Sequence, residues 1–484
     1  MGRSVVVIGA GFSGLSSALY LAKNGYQVDV LEKNVSPGGR ARKFEENGFK
    51  FNLGTGFYWL PEIFENFFAD FNHSSSDFYQ LTRLDPAYRV FFGKNDFLDI
   101  PGYFENTLEL FDSLEKDGAK KLKKYIHNSE ISYNLGKPDF DQIHGNFFAG
   151  IFGRFSSGYI GTTNYLSCSK QIRSLFKEER LIKLLEFPLL FFGAIAQKTT
   201  SLYRLMNYAD LKFGTWYPEG GFYSVIEAML KLAEEFSVSV HTNTAVEAFE
   251  IVNNKVRSAT AHKKSFFADN FIATADYHHI DNDILGEKYR NHSEKYWDKK
   301  SMAPSAFLIH LGLNKKIENL LHHNLLFDTD FNIHARQIFT EPKWPSDPAI
   351  YVSCPSKTDK SVAPEGCENL VILIPVAPNL QDSGKVREHY LNLALCKIEG
   401  YTNENIRDHI VSRRTYAHTD FTGDYNSYKG NAYGLSNILS QTSPSITHNH
   451  IGNLSYAGQL NLGPGVPSSL LGGKMVAKHL MNHF

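Results

Sequence analysis

Glycines 9, 11 and 14, in the run Gly9-Ala10-Gly11-Phe12-Ser13-Gly14, and a carboxylate at Glu32 make the spacing in this chain that is best suited to chemistry. G-x-G-x-x-G followed about 20 residues later by an acid is a pattern that holds a dinucleotide. Gly9 permits a tight turn, Gly11 lets backbone approach a pyrophosphate, and Gly14 lets a helix pack against a strand. The helix N-terminus that follows faces the phosphates with free N–H groups and the positive end of its dipole. Glu32 can accept hydrogen bonds from ribose hydroxyls. An acid there disfavours a 2′-phosphate, which argues against NADP at this site.

Those residues need a strand–turn–helix–strand unit to position them. Ser4 to Ile8 is a compact β-branched run and reads as a buried strand. Leu15 to Asn24 reads as a helix ended by Gly25, and Gln27 to Leu31 as a second strand closed by Glu32. Further along, Val225, Ile226, Met229, Leu230, Ala233 and Phe236 recur at helical spacing. A short strand, Val238 to His241, follows. The β-rich runs Val246 to Val252 and Val256 to His262 are joined by Asn253-Asn254, which tolerates φ > 0 and suits a hairpin. Asp269 to Ala275 reads as another strand, with Asp276 placed to cap a helix.

The stretch after Glu32, Lys33-Asn34-Val35-Ser36-Pro37-Gly38-Gly39-Arg40-Ala41-Arg42, resembles the G-G-R segment of the flavoprotein family that contains amine oxidases, protoporphyrinogen oxidases and carotenoid desaturases. Gly48 to Tyr58 is similar to the segment that the family places beside the flavin ring. Desaturases usually show Phe-Asp-x-Gly-Pro there, whereas this chain has Phe51-Asn52-Leu53-Gly54-Thr55. Phe213 to Gly221 resembles their G-x-W-[YF]-P-x-G-G, and Ala457 to Pro467 their segment ending G-x-G-V-P, though the usual Thr-His-Pro is missing. The Phe-rich stretch and the C-terminal segment look most like hydroxycarotenoid 3,4-desaturases.

The resemblance implies an α/β fold of the amine-oxidase and carotenoid-desaturase type: a discontinuous Rossmann-like FAD-binding domain with an α+β substrate domain. The FAD-binding part is expected in 1–83, 216–289 and 441–484, and the substrate-binding and membrane-contacting region in 84–215 and 290–440. It implies FAD as cofactor. Contacts are expected from Gly9, Ala10, Gly11, Phe12, Ser13, Gly14, Glu32, Lys33, Gly39, Arg40, Gly54, Thr55, Val246, Ala275, Gly458, Gly465 and Val466, with Asp276 nearby. The adenine would meet the Val246 backbone. A second G-x-G-x-x-G is absent from the sequence, so electrons are expected from the substrate rather than from NAD(P)H, with oxygen or a quinone as acceptor.

Composition narrows the alternatives. Lys+Arg number 50 against 51 Asp+Glu, a net charge of -1, which lacks the basic footprint of a nucleic-acid binder. Four dispersed cysteines without C-x-x-C argue against a disulfide scaffold or a cysteine zinc site. Side chains of the adjacent pairs His278-His279 and His322-His323 diverge, so no metal is expected. A G-x-S-x-G nucleophile elbow is absent. Lys116 to Lys124 reads as a solvated helix face. No stretch reads as a signal peptide or a spanning helix. The apolar run Phe187 to Ala196 is shorter than the roughly 20 residues a span requires. It is either a buried element or an interfacial one, and the expected location is the cytoplasmic side of a membrane, held peripherally.

Aromatic residues make up 14% of the chain, with 37 Phe and 25 Tyr against 4 Trp, which allows an aromatic-walled cavity for a large apolar ligand. The expected activity is desaturation of an acyclic, hydroxylated carotenoid. Two hydrogens leave adjacent carbons, one as hydride to flavin and one as a proton that the conjugated chain has made acidic. A weak base then suffices, and no catalytic base is assigned. A flavin-dependent carotenoid cis–trans isomerase, or a non-catalytic polyene- or prenyl-binding protein of the same fold, stays open on the sequence.

Overall fold

In a computed structural model of the chain, residues 3–54, 56–136, 167–191, 205–436 and 443–483 are described. Four of the five residues in Ser4–Ile8 are buried, as a β-branched run requires when it lies inside a parallel sheet covered on both faces. That strand is the middle of five. The order across the sheet is Leu454–Tyr456, Asn270–Ala273, Ser4–Ile8, Gln27–Leu31, Ser239–His241, and every pair is parallel.

Val5 and Val7 face the helices Phe12–Lys23, Phe222–Glu235 and Val466–His483. Val6 and Ile8 face the opposite layer, where a three-stranded antiparallel sheet packs: Ala248–Val252, Lys255–Ala261 and Lys264–Phe267. Asn253 and Asn254 both have positive φ, +50° and +58°, the twist a two-residue hairpin turn demands. The first and last helices meet closely because Gly473 has no side chain. A Cβ there would stand 2.6 Å from both Ser13 O and Ser16 Cβ.

A second, seven-stranded sheet runs Ile410–Tyr416, Ser305–Leu313, Glu368–Val376, Ile350–Ser353, His323–Leu326, Tyr88–Gly93, Asp96–Ile100. All its pairs are antiparallel except His323–Leu326 with Tyr88–Gly93. Helices Phe104–Leu114, Gly118–Gly136, Cys168–Leu175 and Glu179–Phe191 contribute to the core on one face of this sheet. In Gly118–Gly136, Lys120, Lys123 and Lys124 are exposed while Leu122 and Tyr125 are buried, so the lysine run is a solvated face. No described helix is long and apolar enough to cross a membrane.

Candidate cofactor and substrate site

A cavity of about 420 Å³ extends from the Gly9–Gly14 turn to the inner face of the seven-stranded sheet. Its two ends differ in chemistry. At the first end, Gly9 takes φ +103°, and a Cβ on Gly14 would stand 1.9 Å from the Gly9 carbonyl oxygen. The helix Phe12–Lys23 begins here with no side-chain cap and no acid in its first turn, so its leading N–H groups are available to an anion. The Gly38-Gly39 turn closes against them. Gly38 N donates to Ala10 O at 2.8 Å, and a Cβ on Gly39 would lie 3.4 Å from Gly11 Cα.

Glu32 sits beneath this turn. Its Oε2 accepts from the Ala10 N–H at 2.8 Å, and its Oε1 from the Asn34 N–H and Nδ2 at 2.8 and 3.0 Å. The structure therefore differs from the sequence reading at Ala10. That N–H serves Glu32 rather than an incoming phosphate, and Ala10 does not line the cavity. Gly9, Gly11, Phe12, Ser13, Gly14, Glu32, Lys33, Gly39, Arg40, Gly54, Val246, Ala275, Gly458, Gly465 and Val466 all line it, as does Asp276. Thr55 lies outside the described residues.

Arg40 gives a direct test of whether this end suits a diphosphate. Its guanidinium has no carboxylate salt-bridge partner among the described residues, its Nε is buried without a partner, and burial holds its pKa below the usual arginine value. Its other contacts are with neutral groups: Nη2 donates to Ser427 Oγ at 3.2 Å, to Asn431 O at 3.5 Å and to the Gln459 side-chain oxygen at 2.8 Å, and the group lies 5.0 Å over the Tyr425 ring. A buried cation of this kind beside uncapped helix N–H groups fits an anionic diphosphate. Asp276 caps the turn Tyr277–His279, and burial raises its pKa.

A short segment from the other half of the chain covers the same end. Lys33 Nζ donates to Gly423 O and Asn426 Oδ1 at 2.7 and 2.8 Å, Asn34 Nδ2 donates to Asp424 O at 3.1 Å, and Arg42 pairs with Asp424. These contacts fasten the helix His418–Tyr425 and the following Asn426 over the turn.

At the far end, the wall is a row of cross-strand neighbours. Tyr416 opposes Leu308, Leu308 opposes Leu373, and Leu373 opposes Tyr351, and all four line the cavity. Phe57, Trp59 and Phe187 add to this chamber, the first two stacked with ring centroids 4.9 Å apart. Trp59 Nε1 donates to Thr215 Oγ1 at 2.9 Å, and Thr215 and Tyr88 donate to Asp210 at 3.1 and 2.6 Å. Burial raises the Asp210 carboxyl to about 7. The cavity's own carboxylates are occupied in the cradle: Glu32 with backbone, Asp276 as a cap, Asp424 with Arg42.

The structure brings the residues expected from the sequence together along one end of the cavity, and the row at the other end was not among them. Nothing in one sequence states which strands lie side by side. Phe187 lines the cavity, whereas Trp216 and Tyr217 of the Phe213 to Gly221 segment do not. Trp216 Nε1 donates to Phe213 O, and Tyr217 OH to Asp359. Phe192 and the rest of the run to Ala196 lie outside the described residues. The Phe51-Asn52 departure has a local partner: Asn52 Oδ1 accepts from Tyr223 N at 3.0 Å, and a Cβ on Gly221 would strike Asn52 Nδ2. The two motif segments therefore hold each other. The histidine pairs are spent separately, on Glu294, Asp283, Thr358 and Tyr351, and no metal-binding group occurs among the described residues.

A nucleotide cradle opening into an apolar chamber defines a dinucleotide-dependent oxidoreductase for hydrophobic substrates. Residues 12–480 match the family described as flavin containing amine oxidoreductase, and the chain belongs to it. Its cofactor is FAD. The chain is 35% identical over 487 residues to a carotenoid 3,4-desaturase from Haloarcula japonica, covering 99% of this chain and 98% of that one. It is 28% identical to a zeta-carotene-forming phytoene desaturase from Myxococcus xanthus, over 99% of this chain and 94% of that one. An oxidoreductase from Methanosarcina mazei shares the fold, with a TM-score of 0.66 at 18% identity, covering 98% of this chain and 100% of that one.

Proposed function

We propose that this protein is an FAD-dependent desaturase that introduces a C=C bond into an acyclic carotenoid. The observation that carries the reading is the continuity of one cavity, with a diphosphate cradle at one end and an apolar, aromatic chamber at the other. The helix N-terminus at Phe12 to Gly14 and Arg40 would hold the diphosphate, Glu32 the ribose, and Val246 the adenine region. FAD supplies the hydride acceptor for the reaction. The chain's own residues shape, orient and dry the chamber. Flat rings pack against a rigid polyene at little entropic cost, and exclusion of water protects the electron-deficient chain left by hydride loss. The two relatives reported above support the carotenoid class.

The finer reading is a chain hydroxylated at the end near the flavin and desaturated at its 3,4 bond. Oxygen or a quinone takes the electrons, and the enzyme collects substrate at a membrane surface. The discontinuous division of the chain into an FAD-binding part (1–83, 216–289, 441–484) and a substrate region (84–215, 290–440) belongs to the same proposal. The deciding experiment is anaerobic addition of substrate to the FAD-loaded protein. The flavin absorbance should bleach while the carotenoid absorbance shifts to the red. Isomerisation without bleaching, or binding with neither change, would overturn the desaturase reading. Phytoene turned over as well as a hydroxylated chain would overturn the finer one.

A further inference from the structure

An apolar chamber that takes a hydroxylated chain needs one polar group with spare hydrogen-bonding capacity. Most polar tips along the chamber are already engaged. Tyr351 OH is 2.7 Å from His323 Nδ1, Tyr416 OH donates to Asp424 Oδ2 at 2.8 Å, and Trp59 Nε1 donates to Thr215. Tyr425 and Tyr433 are different, and Tyr425 is taken up by the Arg40 and Arg42 guanidiniums that lie over its ring. Tyr433 lines the cavity, packs against the same apolar cluster, and its hydroxyl makes no hydrogen bond among the described residues. Surrounding protein pushes that phenol up to about 12, so near neutral pH it is an uncharged group able both to donate and to accept.

Its position matters as much as its freedom. Tyr433 lies between Asn431, whose carbonyl is approached by Arg40 Nη2, and Gly434. Gly434 N donates to Asn431 Oδ1 at 2.7 Å, and a Cβ there would lie 2.7 Å from Gln459 O. Gly434 O in turn accepts from Ala303 N. The loop is thus tied to both Arg40 and Gln459, which line the cradle end of the cavity. A hydroxyl on the chain end nearest the flavin lies within a few bonds of the reacting carbons, so its partner must stand at this end.

We infer that Tyr433 is the specificity-determining residue that hydrogen-bonds the terminal hydroxyl of the carotenoid and sets its register against the cofactor. The inference rests on the hydroxylated-substrate reading above, and the test separates the two. FAD-loaded wild type and Tyr433→Phe are assayed for kcat/KM on an acyclic hydroxycarotenoid and on its non-hydroxylated parent, with the flavin spectrum checking that each is loaded. Wild type should prefer the hydroxylated chain, and the preference should fall about tenfold in Tyr433→Phe, the effect of one lost hydrogen bond in a dry site. The comparison on wild type requires no variant. If wild type shows no preference, the substrate reading fails and the role of Tyr433 with it. If wild type prefers the hydroxylated chain and Tyr433→Phe keeps that preference, or loses both activities equally, the assignment of Tyr433 is wrong while the substrate reading survives.

Discussion

Glu32 shows how one side chain can serve a fold and a ligand together. Its two oxygens accept three hydrogen bonds from Ala10 and Asn34, so it fixes the glycine turn before any ribose arrives. Glu32→Ala should therefore do more than delete a ligand contact, because it also strands the buried Ala10 N–H. FAD affinity should drop by about 10- to 150-fold, the range for losing charge-assisted bonds of about 1.5–3 kcal/mol. Glu32→Gln, which keeps an acceptor, should lose less, and flavin titration by absorbance would rank the two. A different single-residue effect is expected at Asp210, behind Trp59. Burial raises this carboxyl from its ordinary value to about 7. The unfolded chain releases that proton from about pH 4 upward, and the folded protein holds it until about pH 7. The contribution of Asp210 to stability is therefore greatest at low pH and declines as pH rises through that window, by on the order of a few kcal/mol. Melting temperatures of wild type and Asp210→Asn measured from pH 4 to 8 should converge at the acid end and diverge toward neutrality, with the variant the more stable there. Parallel curves would show that the carboxyl titrates normally.

Among elements, the helix His418–Tyr425 acts as a clasp on the nucleotide end, held by Lys33, Asn34 and Arg42. Asp424 is its central contact and also anchors Tyr416. Asp424→Ala should speed FAD release by about tenfold while slowing loading little, since truncating one member of a partly buried charge pair acts mainly on dissociation. Flavin fluorescence after dilution would report the rate. An unchanged rate would mean that the clasp is ornamental to cofactor retention. Elements of this kind mark the boundary of what a single sequence conveys. The local unit was readable because its signals are local: β-branched Ser4–Ile8, glycines at fixed offsets, and Asn253-Asn254 in a hairpin, each with a backbone reason. Asp276 was readable as a cap for the same reason. Non-local pairing was not readable. The Tyr416–Leu308–Leu373–Tyr351 row depends on the register of four strands spread over more than a hundred residues, and the clasp joins positions nearly 400 apart. Trp216 and Tyr217 lie within the Phe213 to Gly221 segment, and their polar tips are used to hold loops.

At the scale of the whole molecule, the constraint is where its substrate resides. A carotenoid dissolves in the bilayer and hardly at all in water, and no described helix can span a membrane. Under the proposed function, the chamber would receive its ligand from a surface contact with lipid. The apolar run Phe187 to Ala196 remains the candidate for that contact, less its first residue. Phe187 is 1% exposed and forms part of the cavity wall, so the proposal assigns it to substrate binding rather than to the lipid face. The two roles separate experimentally. Leu190→Asp with Phe191→Asp places two charges in the apolar run, where headgroup-level insertion would be costly. That double variant should lose flotation with carotenoid-bearing liposomes and turn over liposomal carotenoid slowly, while its activity on detergent-dispersed carotenoid stays close to wild type. Phe187→Leu should do the reverse, floating as wild type does and losing about tenfold in kcat/KM in either presentation because the chamber wall has been cut back. Equal flotation of wild type and the double variant would remove the run from the membrane contact. Equal activity of Phe187→Leu and wild type in detergent would remove Phe187 from the path of the substrate.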